Sequence, residues 1–178
     1  MQTENLRYPI GHFVAPAHYA TDDITNYVST IEAFPAKLRK TVASLSESQL
    51  DTVYRPGGWT VRQVVNHCAD SHMNAFIRHK LAVTSHEPTI NPYPEALWAE
   101  LADGKSLPIE ASIKILEGLH LRWAVLLKSL QQEQWQRSFY HPEKGRKISL
   151  EESAGSYAWH CNHHLAHITE LKKRMNWL

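Results

Sequence analysis

The chain has 178 residues, 43% of them hydrophobic, and its 19 basic and 18 acidic side chains leave a formal net charge of +1. That length can bury the core of a single domain, and the near-neutral balance gives no electrostatic reason to expect nucleic acid or an anionic membrane as a partner. No apolar run approaches the roughly 20 residues of a membrane span. The start, MQTENLRYPIGH, lacks the basic and apolar regions of a signal peptide. Two cysteines, Cys68 and Cys161, cannot form a disulfide framework, so a reducing cytoplasm is expected.

Residues 1–21 carry Pro9, Gly11 and Pro16 with no helical period, and are expected to form an arm over the body. A first long helix is predicted from Asp22 or Asp23 to Ser44, with Ile24, Tyr27, Val28, Ile31, Phe34, Leu38 and Val42 on its apolar face. Pro35 interrupts it, so a kink or break near Ala33 is expected. Ser46 and Gln49 have capping-box spacing, and a loop follows at Arg55-Pro56-Gly57-Gly58.

The second helix is predicted from Thr60, capped through Gln63, to about Thr84. Its apolar face holds Val61, Val64, Val65, Cys68, Ala75 and Phe76. A polar stripe of His67, Ser71, Asn74 and Arg78 borders that face, as the edge of a solvated surface or the lining of a cleft. Residues 85–107 are rich in proline, with one short helix expected at Pro94–Ala102 and Leu97, Trp98 and Leu101 packing inward. A connection this long can cross the length of a bundle.

The third helix is predicted from Pro108 to Leu130, with Ile109, Ile113, Leu116, Trp123, Leu127 and Leu130 buried. His120 lies in this stripe, as a core imidazole or as an outer partner of a metal site. A polar connection over Gln131–Lys147 leads to a fourth helix from Ser149, boxed with Glu152, to about Met175. Its apolar face is Ala154, Tyr157, Cys161, Leu165, Ile168 and Leu171, and Lys172-Lys173-Arg174 is a solvated last turn suited to the helix dipole. Ser44–Leu50 resembles Ser129–Trp135, and each is followed by aromatics, a Pro/Gly loop and a capped histidine-bearing helix. Two related halves are expected, in one all-α domain spanning 1–178: a four-helix bundle with a long crossover between its second and third helices.

Histidine is the compositional oddity, at twelve residues. The stretch WHCNHHLAHITEL, Trp159 to Leu171, holds two i,i+4 pairs, His160 with His164 and His163 with His167. On a helix that spacing lets two imidazoles reach one divalent cation. The Glu of a metalloprotease H-E-x-x-H is absent, since Cys161 follows His160. At 100° per residue His164 falls near the centre of the apolar face and His160 on its flank, while His167 lies slightly further out and His163 points nearer solvent. His160 with His164 is therefore the better pair. A third ligand could come from His67, His72 or His79 of the second helix, and periodicity leans towards His72.

The stretch Trp59-Thr60-Val61-Arg62-Gln63-Val64-Val65-Asn66-His67, then Asp70-Ser71-His72, and later Trp159-His160 with His164-Leu165-Ala166-His167-Ile168, resembles the DinB-like superfamily. Within it, Tyr8-Pro9-Ile10-Gly11 and Asp70–Leu81 are similar to the YfiT family of metal-dependent hydrolases, whose members include bacillithiol S-transferases. The resemblance implies a four-helix bundle with one divalent metal, zinc or nickel, held by His67, His160 and His164. It also implies a homodimer. On position, it sets His67 above His72.

Three neutral imidazoles would leave the metal open to water or a thiol. The leading expectation is an enzyme that activates a low-molecular-weight, bacillithiol-like thiol and transfers it to an electrophile. The alternatives are a hydrolase acting through a metal-activated water and a metal-binding protein with no turnover. Arg78 is the candidate for binding a substrate carboxylate. Asp70, one turn after His67, is either an orienting partner for a ligand imidazole or an exposed carboxylate.

Overall fold

The computed structural model describes residues 2–177, with side chains from residue 4 onward. The expected arm, of which Met1 lies outside the described residues, begins as a six-residue helix, α1 (Gln2–Arg7), and continues irregularly to residue 20. The long helices are α2 (Thr21–Val42), α4 (Val61–Thr84), α7 (Glu110–Lys128) and α9 (Leu150–Arg174). Between them lie α3 (Glu47–Leu50), α5 (Glu95–Trp98), α6 (Ala102–Lys105) and α8 (Gln132–Trp135). In the bundle, α2 packs against α7 and α9, and α4 packs against the same two. Thus α2 and α4 sit on opposite corners, and the crossover from α4 to α7 joins neighbours.

The helix starts follow their side chains. The Thr60 hydroxyl accepts from the Gln63 N–H at 3.1 Å, and the Gln63 amide oxygen accepts from the Thr60 N–H at 3.0 Å. Ser149 caps α9 by accepting from the Glu152 N–H at 3.1 Å. The reciprocal half of that expected box is replaced, because the Glu152 carboxylate pairs with the Arg146 guanidinium instead.

Pro35 neither breaks nor ends α2, which is one helix through that position. Proline has no N–H, so the Ile31 carbonyl, four residues back, loses its helical donor. Ile31 is fully buried, and its carbonyl accepts instead from His120 Nδ1 at 2.5 Å.

The core is formed by the faces that the period predicts, among them Ile31, Phe34, Leu38, Val64, Val65, Ile113, Leu116, Leu127 and Ile168. Trp123, fully buried in it, donates from Nε1 to His79 Nδ1 at 2.9 Å, while His79 Nε2 meets the Ser153 hydroxyl at 2.7 Å. Trp123→Phe keeps most of the apolar volume but strips His79 Nδ1 of its donor. We expect a loss of about 1–3 kcal/mol in urea unfolding, and restoration when His79 is also replaced by an apolar side chain.

The region between α4 and α7 differs from its expectation. It forms two short helices, and Leu97 and Leu101 are exposed. Ile90, Ala99 and Gly104 are buried instead, and polar side chains of α4 hold the Ala99–Gly104 segment by its backbone. Gln63 donates to the Ala99 carbonyl at 2.8 Å, and Asn66 to the Asp103 and Gly104 carbonyls at 3.0 and 2.9 Å. The polar connection before α9 contains a hairpin, β1 (Ser138–His141) antiparallel to β2 (Arg146–Ser149), turning at Gly145 with φ +63°. The internal similarity reappears as geometry. α3 and α8 are both four-residue helices started by a capping box and ended by a buried Leu50 or Trp135, and each precedes a long capped helix. Among the described residues, no helix is long and apolar enough to cross a membrane.

Candidate metal centre

His67 on α4 meets His160 and His164 on α9 where these two adjacent helices face each other. His160 Nε2 lies 3.4 Å from His67 Nε2 and 3.1 Å from His164 Nε2. The three residues each offer a nitrogen within 4.8 Å of the others. Two imidazole nitrogens bound about 2.0–2.1 Å from one tetrahedral ion would lie roughly 3.4 Å apart, so the spacing and the all-imidazole donor set fit a divalent ion of the zinc class. All three imidazoles are held neutral. Burial pushes His67 down to about 4, with the neighbouring His167 adding to it. Burial first, and the facing histidines second, hold His160 and His164 well below the usual imidazole value. Neutral imidazole is the ligand form.

The other histidines are arranged around this trio. His72 does not join it: its Nε2 meets His160 Nδ1 at 3.0 Å, and its Nδ1 meets His120 Nε2 at 2.8 Å. His79 is a core residue on the far side of Trp123. His167 Nδ1 faces His164 Nδ1 at 3.4 Å, and its Nε2 donates to the Arg7 carbonyl at 3.0 Å.

His163 is buried, contrary to its expected place nearer solvent. The arm covers it with the Tyr8 ring at 5.7 Å, and Trp159 stacks on it at 4.4 Å. With His164 and His167 it forms a second close histidine group. His164 belongs to both groups, so filling both would require its two nitrogens at once.

Aromatic rings from the loop between α3 and α4 fix two imidazoles. Tyr54 stacks on His167 with ring centroids 3.9 Å apart, and Trp59 lies 4.6 Å from His67. Sequence reasoning gave these rings no role. Their signal was the flanking of a Pro/Gly loop that opens a histidine-bearing helix.

The trio lies on the wall of an open cleft of about 860 Å³, also lined by Ser71, Arg78, Tyr157 and His141. Three members of the polar stripe therefore line the cleft. The fourth, Asn74, donates to the Asp70 carbonyl at 2.9 Å. Arg78 donates from Nη2 to the Asn91 carbonyl at 3.2 Å, while among the described residues its buried Nε and the buried Nδ1 of His141 have no partner. The Asp70 carboxyl has no imidazole partner among the described hydrogen bonds, and burial raises it to about 6. Both thiols are buried and pushed up by that burial, so neither Cys68 nor Cys161 is a nucleophile at neutral pH.

The chain and its bundle have close counterparts. The chain is 48% identical over 177 residues, 99% of each chain, to the Bacillus subtilis (strain 168) protein named "Putative metal-dependent hydrolase YfiT". It is 51% identical over 173 residues to a Bacillus cereus (strain 03BB102) protein named "Putative metal-dependent hydrolase", covering 97% of this chain and 99% of that one. The solved structure of Bacillus subtilis YfiT, described as a four-helix bundle of unusual topology, superposes with a TM-score of 0.96 over 98% of this chain and 99% of that one. The family model described as the DinB superfamily matches residues 30–168. That span runs from within α2 to Ile168 of α9 and takes in every histidine of the trio. Fold, whole-length identity and family model agree, and the chain belongs to the DinB superfamily.

Proposed function

We propose that this protein is a metal-dependent enzyme in which His67, His160 and His164 hold one divalent ion, zinc or nickel. The reaction we propose is transfer of a small, bacillithiol-like thiol to an electrophile. The observation that carries the reading is the convergence of three neutral imidazole nitrogens on the wall of an open cleft. An ion there would supply Lewis acidity, bringing the pKa of a water or thiol it held towards neutrality. The protein's own residues do the rest. Burial keeps the trio uncharged, the Trp59 and Tyr54 rings fix imidazole orientation, and the cleft walls bind and align the substrate. No carboxylate is hydrogen-bonded to the trio among the described residues to act as a general base, which suits a nucleophile that arrives already deprotonated.

Hydrolysis is the second reading, favoured by the names of the relatives. One preparation separates the two. Thiol-dependent consumption of an electrophilic acceptor, lost in His160→Ala, supports transfer. Cleavage of ester or amide substrates without thiol replaces it with hydrolysis. Turnover of neither would reduce the protein to a metal-binding role.

Arg78 is proposed to bind a carboxylate of the substrate, because its buried Nε faces no acceptor among the described residues. Arg78→Gln is expected to raise KM about tenfold or more for a carboxylate-bearing substrate, with kcat nearly unchanged, in steady-state kinetics. An unchanged KM would remove this role. The buried, unpaired cysteines suit the cytoplasm, and the homodimer implied by the family would show directly in sedimentation velocity.

A further inference from the structure

We propose that His72 and His120 are positioning residues: with the Ile31 carbonyl that Pro35 sets free, they form a one-way hydrogen-bond file that fixes the proton of His160 on Nδ1 and turns its Nε2 lone pair towards His67 and His164. The consequence for a metal rests on the reading of His160 as a ligand, but the proton assignment does not.

The direction of the file follows from its end. A carbonyl oxygen only accepts, so the nitrogen 2.5 Å from Ile31, His120 Nδ1, must carry a hydrogen. A neutral imidazole has one N–H, which leaves a lone pair on His120 Nε2. The nitrogen 2.8 Å from that lone pair, His72 Nδ1, must therefore donate. His72 Nε2 is then an acceptor, and His160 Nδ1, 3.0 Å away, must donate to it. What remains on His160 is the Nε2 lone pair, the atom that faces His67 and His164. His72 and His120 are almost completely buried, so water does not offer an alternative partner that could reverse the order.

Pro35 belongs to this device. In an ordinary helix the Ile31 carbonyl would accept from the N–H of residue 35. Proline withholds that N–H, and the carbonyl becomes the acceptor that sets the direction of the whole file.

A second file reaches the same result from the other wall. The Arg7 carbonyl requires the His167 hydrogen on Nε2, so His167 Nδ1 accepts from His164 Nδ1 at 3.4 Å. His164 is also left with its lone pair on Nε2. Two lone-pair nitrogens thus face each other at 3.1 Å with no hydrogen between them. That contact is repulsive unless a cation lies among them, so both files prepare the trio to receive one. Outer partners of this kind typically contribute about 10–100-fold to metal affinity.

The test is nitrogen NMR of the histidine rings in metal-free protein near pH 7.5, where long-range proton–nitrogen correlations assign each tautomer. Nδ1–H forms of His72, His120 and His160 are expected. An Nε2–H form at His72 or His160 would overturn the proposal, whatever the protein does with metal. Zinc affinity by chelator competition adds a second readout. His72→Leu should weaken binding about 10–100-fold, whereas His72→Gln, whose amide both donates and accepts, should stay within about threefold of the parent. Equal losses in the two variants would show that only packing matters, and would also overturn it. Pro35→Ala returns an N–H that shares the Ile31 carbonyl, but that oxygen still only accepts, so the Nδ1–H form of His160 should persist; a change of tautomer would overturn the order read from that oxygen. If the expected tautomers appear but zinc does not bind, the file stands and the metal reading falls.

Discussion

His160→Ala protein is expected to purify without stoichiometric metal and to bind zinc far more weakly than the roughly 10–100-fold loss typical of an outer partner. His160 is central to the trio, with Nε2 within 3.4 Å of both His67 and His164. Its removal leaves two donors from different helices, and it also leaves the buried His72 Nε2 without its donor. His67→Ala and His164→Ala should lose metal as well. His163→Ala is the control that decides between the two histidine groups, since only the second contains it. Metal content by plasma mass spectrometry settles the matter. Full loading in His67→Ala with loss in His163→Ala would move the site to His163, His164 and His167.

Metal-free protein is expected to lose stability as pH falls from about 6.5 towards 4. Burial sets His79 at about 3 and His120 at about 4, and with its neighbour's help sets His67 at about 4. Unfolded histidines titrate near 6.5. Below that value the unfolded chain takes up protons that the native state refuses. This contribution is complete above about 6.5 and is lost progressively towards the native values. Each group contributes up to about 1.4 kcal/mol per pH unit. Asp70 works in the opposite sense, because its native carboxyl takes a proton near pH 6 and the unfolded one does not. These three histidines alone outweigh Asp70 by about 2–3 kcal/mol between pH 6 and 5, and the likewise depressed His72, His160, His163, His164 and His167 add to the loss, readable as a falling urea midpoint. Asp70→Asn should steepen the slope by about one proton. A flat midpoint over that range would contradict the buried neutral histidines.

The four long helices are legible in the sequence because each carries a period of three to four and its own start signal. The Thr60 and Ser149 caps mark their helices to within a residue. Face arithmetic also reaches the neighbouring of His160 and His164, since that property belongs to one helix. It does not reach their partner on α4. Along α4 the period puts His72 near the apolar centre and His67 on its flank, and only the placement of α4 against α9 and α7 sends His67 towards the cleft and His72 towards His120. His163 shows the same limit, because its burial comes from an arm with no periodic signal. The strands of the hairpin have four residues each, too few for alternation to stand out, and Leu97 and Leu101 face outward because backbone hydrogen bonds hold their segment in place of its apolar side chains.

The covering arm bears on how the protein is made. The Arg7 carbonyl and the His167 ring that it receives are 160 residues apart. At about 5–20 residues per second, synthesis separates them by roughly 10–30 s. Until α9 emerges, the arm has no histidine wall to dock on, and His67 waits without either of its neighbours from α9. The nascent α9 carries two pairs of metal-binding spacing and would chelate stray ions if it were left exposed. It emerges when the other three long helices are already available to enclose it. Chain order therefore shortens the interval in which the histidine-rich segment is open to the wrong ion, and it makes closing of the arm a late folding event.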